Sequence, residues 1–281
     1  MAPIDTSGVA VPVPEVEEYL DHAELALENG DPQSALESCQ EALQRAPRHP
    51  EALFLLAESY RDMGNLSQCI DAYRRAVLAD PHYSEAWSAL GTMHVLQMKW
   101  EEARRAFNRA IREYIGNPEA WYGRGLLRER RGDLAGADRD LARACRLDAE
   151  TYPFPVPLTD DEVESVVDAA IAGLHPNLQE YLKNVAVLLE EVPADDLLSQ
   201  YDPPMPPGEL LGYFSGYSLM ERTVENPWSN LPSAIVLFRR NLQRHAQDRE
   251  TLVEELQTTL YHEVGHFLGL DEEGLKARGL E

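Results

Sequence analysis

The sequence predicts an all-helical solenoid followed by a small α+β domain. Three observations carry that prediction. A 34-residue period fills residues 16–149. A proline-rich stretch at 151–158 then ends the periodicity. Beyond it, short apolar runs of strand length alternate with helical patterns.

Four blocks of 34 residues begin at Val16, Pro50, Ser84 and Pro118, with no gap between them. The eighth position holds Ala23, Ala57, Gly91 and Gly125. The twentieth holds Ala35, Cys69, Ala103 and Ala137, and the twenty-seventh Ala42, Ala76, Ala110 and Ala144. Small residues at fixed offsets mark close helix crossings, so each block reads as two antiparallel helices. The fourth position is large throughout (Tyr19, Leu53, Trp87, Trp121) and fills the space between helices. The fifteenth holds Gly30, Gly64, Met98 and Gly132, where the first helix ends and glycine tolerates positive φ. The ladder Glu17, Glu51, Glu85, Glu119 lies in the first turn of each first helix, where the macrodipole favours an acid.

Repeated in phase four times, these sites resemble the tetratricopeptide pattern. That resemblance implies a curved solenoid whose concave face, lined by first helices, binds a protein or peptide. One subtype is excluded. Repeats that grip a chaperone's terminal carboxylates use Lys and Asn at positions two, five and nine. Here those positions hold Glu17, Leu20, Glu24; Glu51, Phe54, Glu58; Glu85, Ser88, Thr92; and Glu119, Tyr122, Leu126. No carboxylate clamp is present.

Composition narrows the partners further. The 281 residues include 25 basic and 49 acidic side chains, a net charge of −24, which repels phosphate backbones and anionic membranes. Neither nucleic acid nor a membrane is expected as a partner. At 44% hydrophobic the chain has the apolar material to fold. Cys39, Cys69 and Cys145 are too few and scattered for a disulfide framework and occupy small or apolar slots. With no secretory signal at the N-terminus and no span-length apolar run, a soluble cytoplasmic protein is expected.

The expected organisation is an N-terminal tail (1–15), four repeats (16–149), a proline-rich linker (150–159) and a second domain (160–281). Pro153, Pro155 and Pro157 alternate, so the linker reads as an extended, semi-rigid spacer. Thr159 and Glu162 then form a capping-box pattern ahead of a helix. Val185–Leu189 and Ala234–Phe238 read as buried strands and Leu211–Gly216 as a weaker one. Asp202–Gly208 reads as a proline-rich surface loop. Asp248 starts a long helix with apolar residues at Leu252, Val253, Leu256, Leu260 and Val264.

That helix carries His262-Glu-Val-Gly-His266. Histidines at i and i+4 share one helical face, one turn apart, which is the spacing zinc needs. Glu263 is placed to reach a water on such a metal. Gly269 lets the chain leave the helix, and Glu272 follows ten residues after His262. The remaining histidines lack such spacing and read as ordinary surface or groove residues.

The motif resembles the zincin metallopeptidases, and its extended form the metzincin branch. The resemblance implies His262, His266 and Glu272 as metal ligands and Glu263 as general base. Two features depart from metzincins: an acid replaces the usual third histidine, and no methionine follows Met220. The segment from 160 onward is more similar to a small bacterial family of minimal, matrix-metalloprotease-like domains. The pieces that carry this are Asn184–Leu188, Leu211–Arg222, Ile235–Arg240 and the closing helix. That family ends soon after its zinc helix and has an acidic third ligand. Asp271 or Glu273 are the alternatives to Glu272.

The expected function is therefore zinc-dependent hydrolysis of peptide bonds in a protein recruited by the repeats. Tyr213, Tyr217, Arg222 and Arg239 are the candidates for stabilising the oxyanion. The strand around Ile235–Phe238 is expected to offer its edge to the substrate. The alternative is a non-catalytic adaptor with a structural or vestigial zinc site. Charge is uneven along the chain. Residues 99–149 hold 12 basic and 9 acidic side chains, and residues 150–281 hold 8 and 24. The basic island, with Arg124, Arg128, Arg130 and Arg131, is a candidate dock for the acidic domain, which should favour cationic or neutral peptides.

Overall fold

A computed structural model describes residues 13–183, 185–201, 205–220 and 233–277. The chain divides into two compact units, Met1–Tyr152 and Pro153–Glu281.

Among the described residues the first unit is eight helices paired in sequence. They are α1 (Val13–Glu28), α2 (Pro32–Arg45), α3 (Pro50–Asp62), α4 (Leu66–Ala79), α5 (Ser84–Leu96), α6 (Trp100–Glu113), α7 (Pro118–Glu129) and α8 (Leu134–Leu147). Every alanine and cysteine at positions twenty and twenty-seven is 0% exposed, which is why nothing larger recurs there. A Cβ on Gly91 would lie 2.7 Å from the Phe107 ring, and one on Gly125 would lie 2.9 Å from Leu141. All four fifteenth positions have positive φ: Gly30, Gly64, Gly132 and also Met98, at +54°. The geometry of the turn overrides the side chain at the one block that lacks glycine. Trp87 and Trp121 use their indole N–H alike, donating to Pro81 O (3.0 Å) and Ile115 O (2.8 Å) across the preceding turn.

Four arginines of the basic island find partners inside this unit. Arg124 makes a bidentate pair with Asp140 (2.7 and 2.8 Å), and Arg128 adds a contact to the same carboxylate. Arg130 stacks on Trp100 and Arg131 pairs with Glu101.

The second unit begins inside the proline-rich stretch. Val156 N–H donates to Gln243 O (3.0 Å). The Pro157 and Leu158 carbonyls accept from Arg249 (2.7 Å) and Arg239 (2.9 Å). Alternating prolines cannot satisfy one another, so arginines from later helices meet those carbonyls. Residues 156–158 are thus bound to the domain that follows and are no free spacer.

After this lie α9 (Asp160–Gly173), closed by the Thr159/Glu162 capping box, and α10 (Pro176–Leu182). Then come β1 (Val185–Glu190), α11 (Asp195–Leu198), β2 (Gly212–Ser215), β3 (Ser233–Phe238), α12 (Arg239–His245), α13 (Arg249–Phe267) and α14 (Glu272–Lys276). The sheet order is β1-β3-β2, with β1 parallel and β2 antiparallel to β3. The strand expected to receive substrate at its edge, residues 235–238, is therefore central, with both edges paired. Its side chains say why: Ile235, Val236, Leu237 and Phe238 are all 2% exposed or less, as in a strand covered on both faces. Leu252, Leu256 and Leu260 of α13 are fully buried in the same core as Ile235, Leu237 and Leu242. Among the described residues no helix is long and apolar enough to cross a membrane.

Candidate metal centre

The two histidines stand in the last two turns of α13, which a Leu252/Leu256/Leu260 stripe anchors to the sheet. Their Nε2 atoms are 3.1 Å apart. His266 Nδ1 donates to Leu270 O at 3.1 Å. A carbonyl only accepts, so Nδ1 carries a proton and Nε2 is the ring nitrogen turned toward His262. Two ring nitrogens this close need a proton or a cation between them.

The chain then reverses. Gly269, at φ +90°, ends the helix, with Gly269 N–H donating to His266 O and Leu270 N–H to Gly265 O. Gly269 also lies against Met220, which a Cβ would meet at 2.9 Å. The reversal starts α14, whose Leu275 is fully buried against Gly265, inside the motif; a Cβ there would stand 2.2 Å from Leu275 Cδ2. This docking brings Glu272 back over the histidines, with carboxylate oxygens 3.4 Å from His266 Nε2 and 3.9 Å from His262 Nε2. Asp271 is occupied otherwise: its Oδ1 caps α14 by accepting from Gly274 N–H at 2.8 Å.

Two imidazoles and a carboxylate, with donor atoms all within 4.8 Å of one another, are a hard-to-borderline set that suits zinc. Zinc–ligand lengths of ~2.0–2.1 Å place tetrahedral donors about 3.3 Å apart, close to the separations found. The residues therefore fit the ion.

Glu263 lies beside this group and is only 5% exposed. Burial pushes its carboxyl up to about 7, the nearby Glu272 charge adds to the rise, and the Phe214 amide of β2 opposes it. Beside the histidines lies a cavity of about 540 Å³. Glu263 and Glu272 form its acidic side, while Leu197, Tyr201, Met205, Leu210 and Tyr213 form a mixed apolar and phenolic wall.

The oxyanion candidates separate on this geometry. Tyr213 lines the cavity and stacks on Phe238, with ring centroids 5.9 Å apart. Tyr217 is partly exposed and does not line it; its carbonyl accepts from Ser233. Arg239 is spent on Leu158 O, Asp160 and Glu191, clasping the domain's first segment. Arg222 lies outside the described residues. Tyr201 was not singled out by the sequence, because nothing in a Ser-Gln-Tyr stretch before a proline loop marks a site. The structure places it in the cavity wall, where burial and then the Glu263 and Glu272 charges raise its pKa.

Comparison with known proteins agrees with both halves. A family model described as zincin-like metallopeptidase matches residues 182–280, and two tetratricopeptide repeat models match 26–93 and 97–150. Among curated proteins, the chain is 29% identical over 107 residues to anaphase-promoting complex subunit 3 of Schizosaccharomyces pombe, covering 38% of this chain and 16% of that one. It is 28% identical over 120 residues to the general transcriptional corepressor ssn6 of the same yeast, covering 42% and 11%. The match thus spans less than a fifth of either relative. Among solved structures, MamA aligns at 23% identity and TM-score 0.43, covering 50% of this chain and 82% of that one. A thermophilic repeat protein of Thermus thermophilus aligns at 20% and 0.44, covering 60% and 87%. The chain is thus a run of tetratricopeptide repeats, matched over residues 26–150, followed by a zincin-like metallopeptidase domain over residues 182–280.

Proposed function

We propose that this protein is a zinc-dependent peptidase acting on a protein or peptide held by its repeats. The observation that carries the reading is the convergence of two Nε2 atoms and the Glu272 carboxylate beside a buried carboxyl that is not itself one of the three. A purely structural site has no use for Glu263 there. In this reading His262, His266 and Glu272 hold the metal. Bound zinc supplies Lewis acidity, which polarises a water and the scissile carbonyl.

The chain's own residues do the rest. Glu263, with an affinity for protons matched to neutral pH, takes the proton of the attacking water and returns it to the leaving amine. His266 keeps its Nε2 aimed by donating Nδ1–H to Leu270 O. Tyr213 and Tyr201, which line the cavity, are in this reading the donors to the developing oxyanion. Substrate backbone runs along β2, the strand that contributes Gly212, Tyr213 and Phe214 to the cavity and that has no second partner strand among the described residues.

The concave face of the repeats recruits the partner, without a carboxylate clamp. A cytoplasmic setting is in keeping with three free cysteines, two of them buried with thiols pushed up to about 12 (Cys39) and about 11 (Cys69) by desolvation. The test is cleavage of a broad peptide library by wild type and by Glu263→Gln at equal zinc content. Loss of about 10²- to 10⁴-fold in rate with zinc retained is expected. Full zinc loading of the wild type with no cleavage would favour the adaptor.

A further inference from the structure

The sheet edge opposite the metal cleft carries features the peptidase reading does not use. β1 is the edge strand on that side, and no other strand pairs with it among the described residues. Between it and α9 runs a groove of about 430 Å³. Its floor is apolar, from Val167 and Ile171 of α9 and Val187 and Leu189 of β1. On its rim, one helical turn apart, stand Glu164 and Asp168. Both are exposed, and neither forms an ion pair among the described residues. The third rim acid, Asp160, is already paired with Arg239. On the other face of β1, Leu188 is 46% exposed, large for a lone leucine on a strand.

We propose that this edge binds an extended cationic protein segment, which adds to β1 as a further strand. Each feature selects part of that occupant. Unpaired backbone groups along an edge strand are satisfied by another strand. Alternate side chains of an added strand fall on the groove face, over Val187, Leu189 and Ile171, and are therefore apolar. The two uncompensated carboxylates on the rim call for Lys or Arg and reject an acidic segment. The surplus of 24 acidic over 8 basic residues from 150 onward steers the same class of partner to this unit.

The probe is a fluorescent peptide of alternating valine and lysine, about the length of two β1 strands, added to full-length protein carrying Glu263→Gln so that it is not cut. Anisotropy reads affinity and hydrogen exchange reads location. Saturable binding, slowed exchange at residues 185–190 and about tenfold or greater weakening in Glu164→Lys/Asp168→Lys are expected, with no binding of a valine–glutamate peptide. Both substituted residues are exposed, so the variant keeps its core. Unchanged affinity in that variant, protection confined to the repeats or the metal cleft, or no saturable binding would overturn the proposal. So would a dimer paired through β1 with no affinity for the peptide.

Discussion

Glu263 is where burial and chemistry meet most sharply. It lines the same cavity as His262 and His266, yet it is only 5% exposed. Burial favours the neutral acid, and the folded state holds the proton to about pH 7, against an ordinary value of 4.5. A raised folded-state pKa stabilises below the unfolded value and loses that stability as pH rises through the folded one. Metal-free protein should therefore be more stable near pH 4.5 than above pH 7 on account of this group, by roughly 3 kcal/mol. Glu263→Gln should flatten that part of the profile. Denaturant titrations across this range check it, and an equal slope in both proteins would count against the assignment. The place of this residue beside the histidines was legible in the sequence because His-Glu-x-x-His fixes it on a helix. The cavity wall was not: Tyr201 and Met205 flank a proline loop with no periodicity, and only the fold brings them to the histidines.

Among elements, α14 matters most for its size. Five residues long, it positions Glu272 through one buried side chain, Leu275, seated on Gly265. Leu275→Ala should release it, lowering zinc affinity by roughly 10- to 100-fold while the α13 helix persists. Competition with a chromogenic chelator reads the affinity, and circular dichroism reads the helix. Unchanged affinity would remove Glu272 from the ligand set. Long elements were the legible ones. The repeat helices announce themselves by offset small residues, and α9 and α13 by their caps and apolar stripes. The helices α10, α11 and α12, at seven, four and seven residues, are too short to show a period. The central place of β3 was hidden for a different reason. An unbroken apolar run signals burial on both faces, but pairing partners lie far off in sequence.

For the whole molecule, two units with separate cores should respond separately to the metal. A ligand stabilises only the unit that binds it in its folded form. Calorimetry with and without a chelator should move the unfolding of Pro153–Glu281 and leave that of Met1–Tyr152 in place. One transition shifting as a block would mean that the units unfold together. Polarity along the chain is sharper than the net charge indicates. Arg124, Arg128, Arg130 and Arg131 of the basic island are engaged by Asp140, Glu101 and Trp100 within the repeats, whereas Glu164 and Asp168 of the second unit stand unpaired among the described residues. Glu164 and Asp168 are therefore acidity of the second unit that stays open to partners.

All of this turns on the metal. Isothermal titration of zinc into the metal-free protein at neutral pH, alongside His266→Ala and Asp271→Ala, is the most direct test. One zinc per chain is expected for the wild type and for Asp271→Ala, whose carboxylate caps α14, and no comparable binding for His266→Ala. Equal zinc uptake by wild type and His266→Ala would contradict the account.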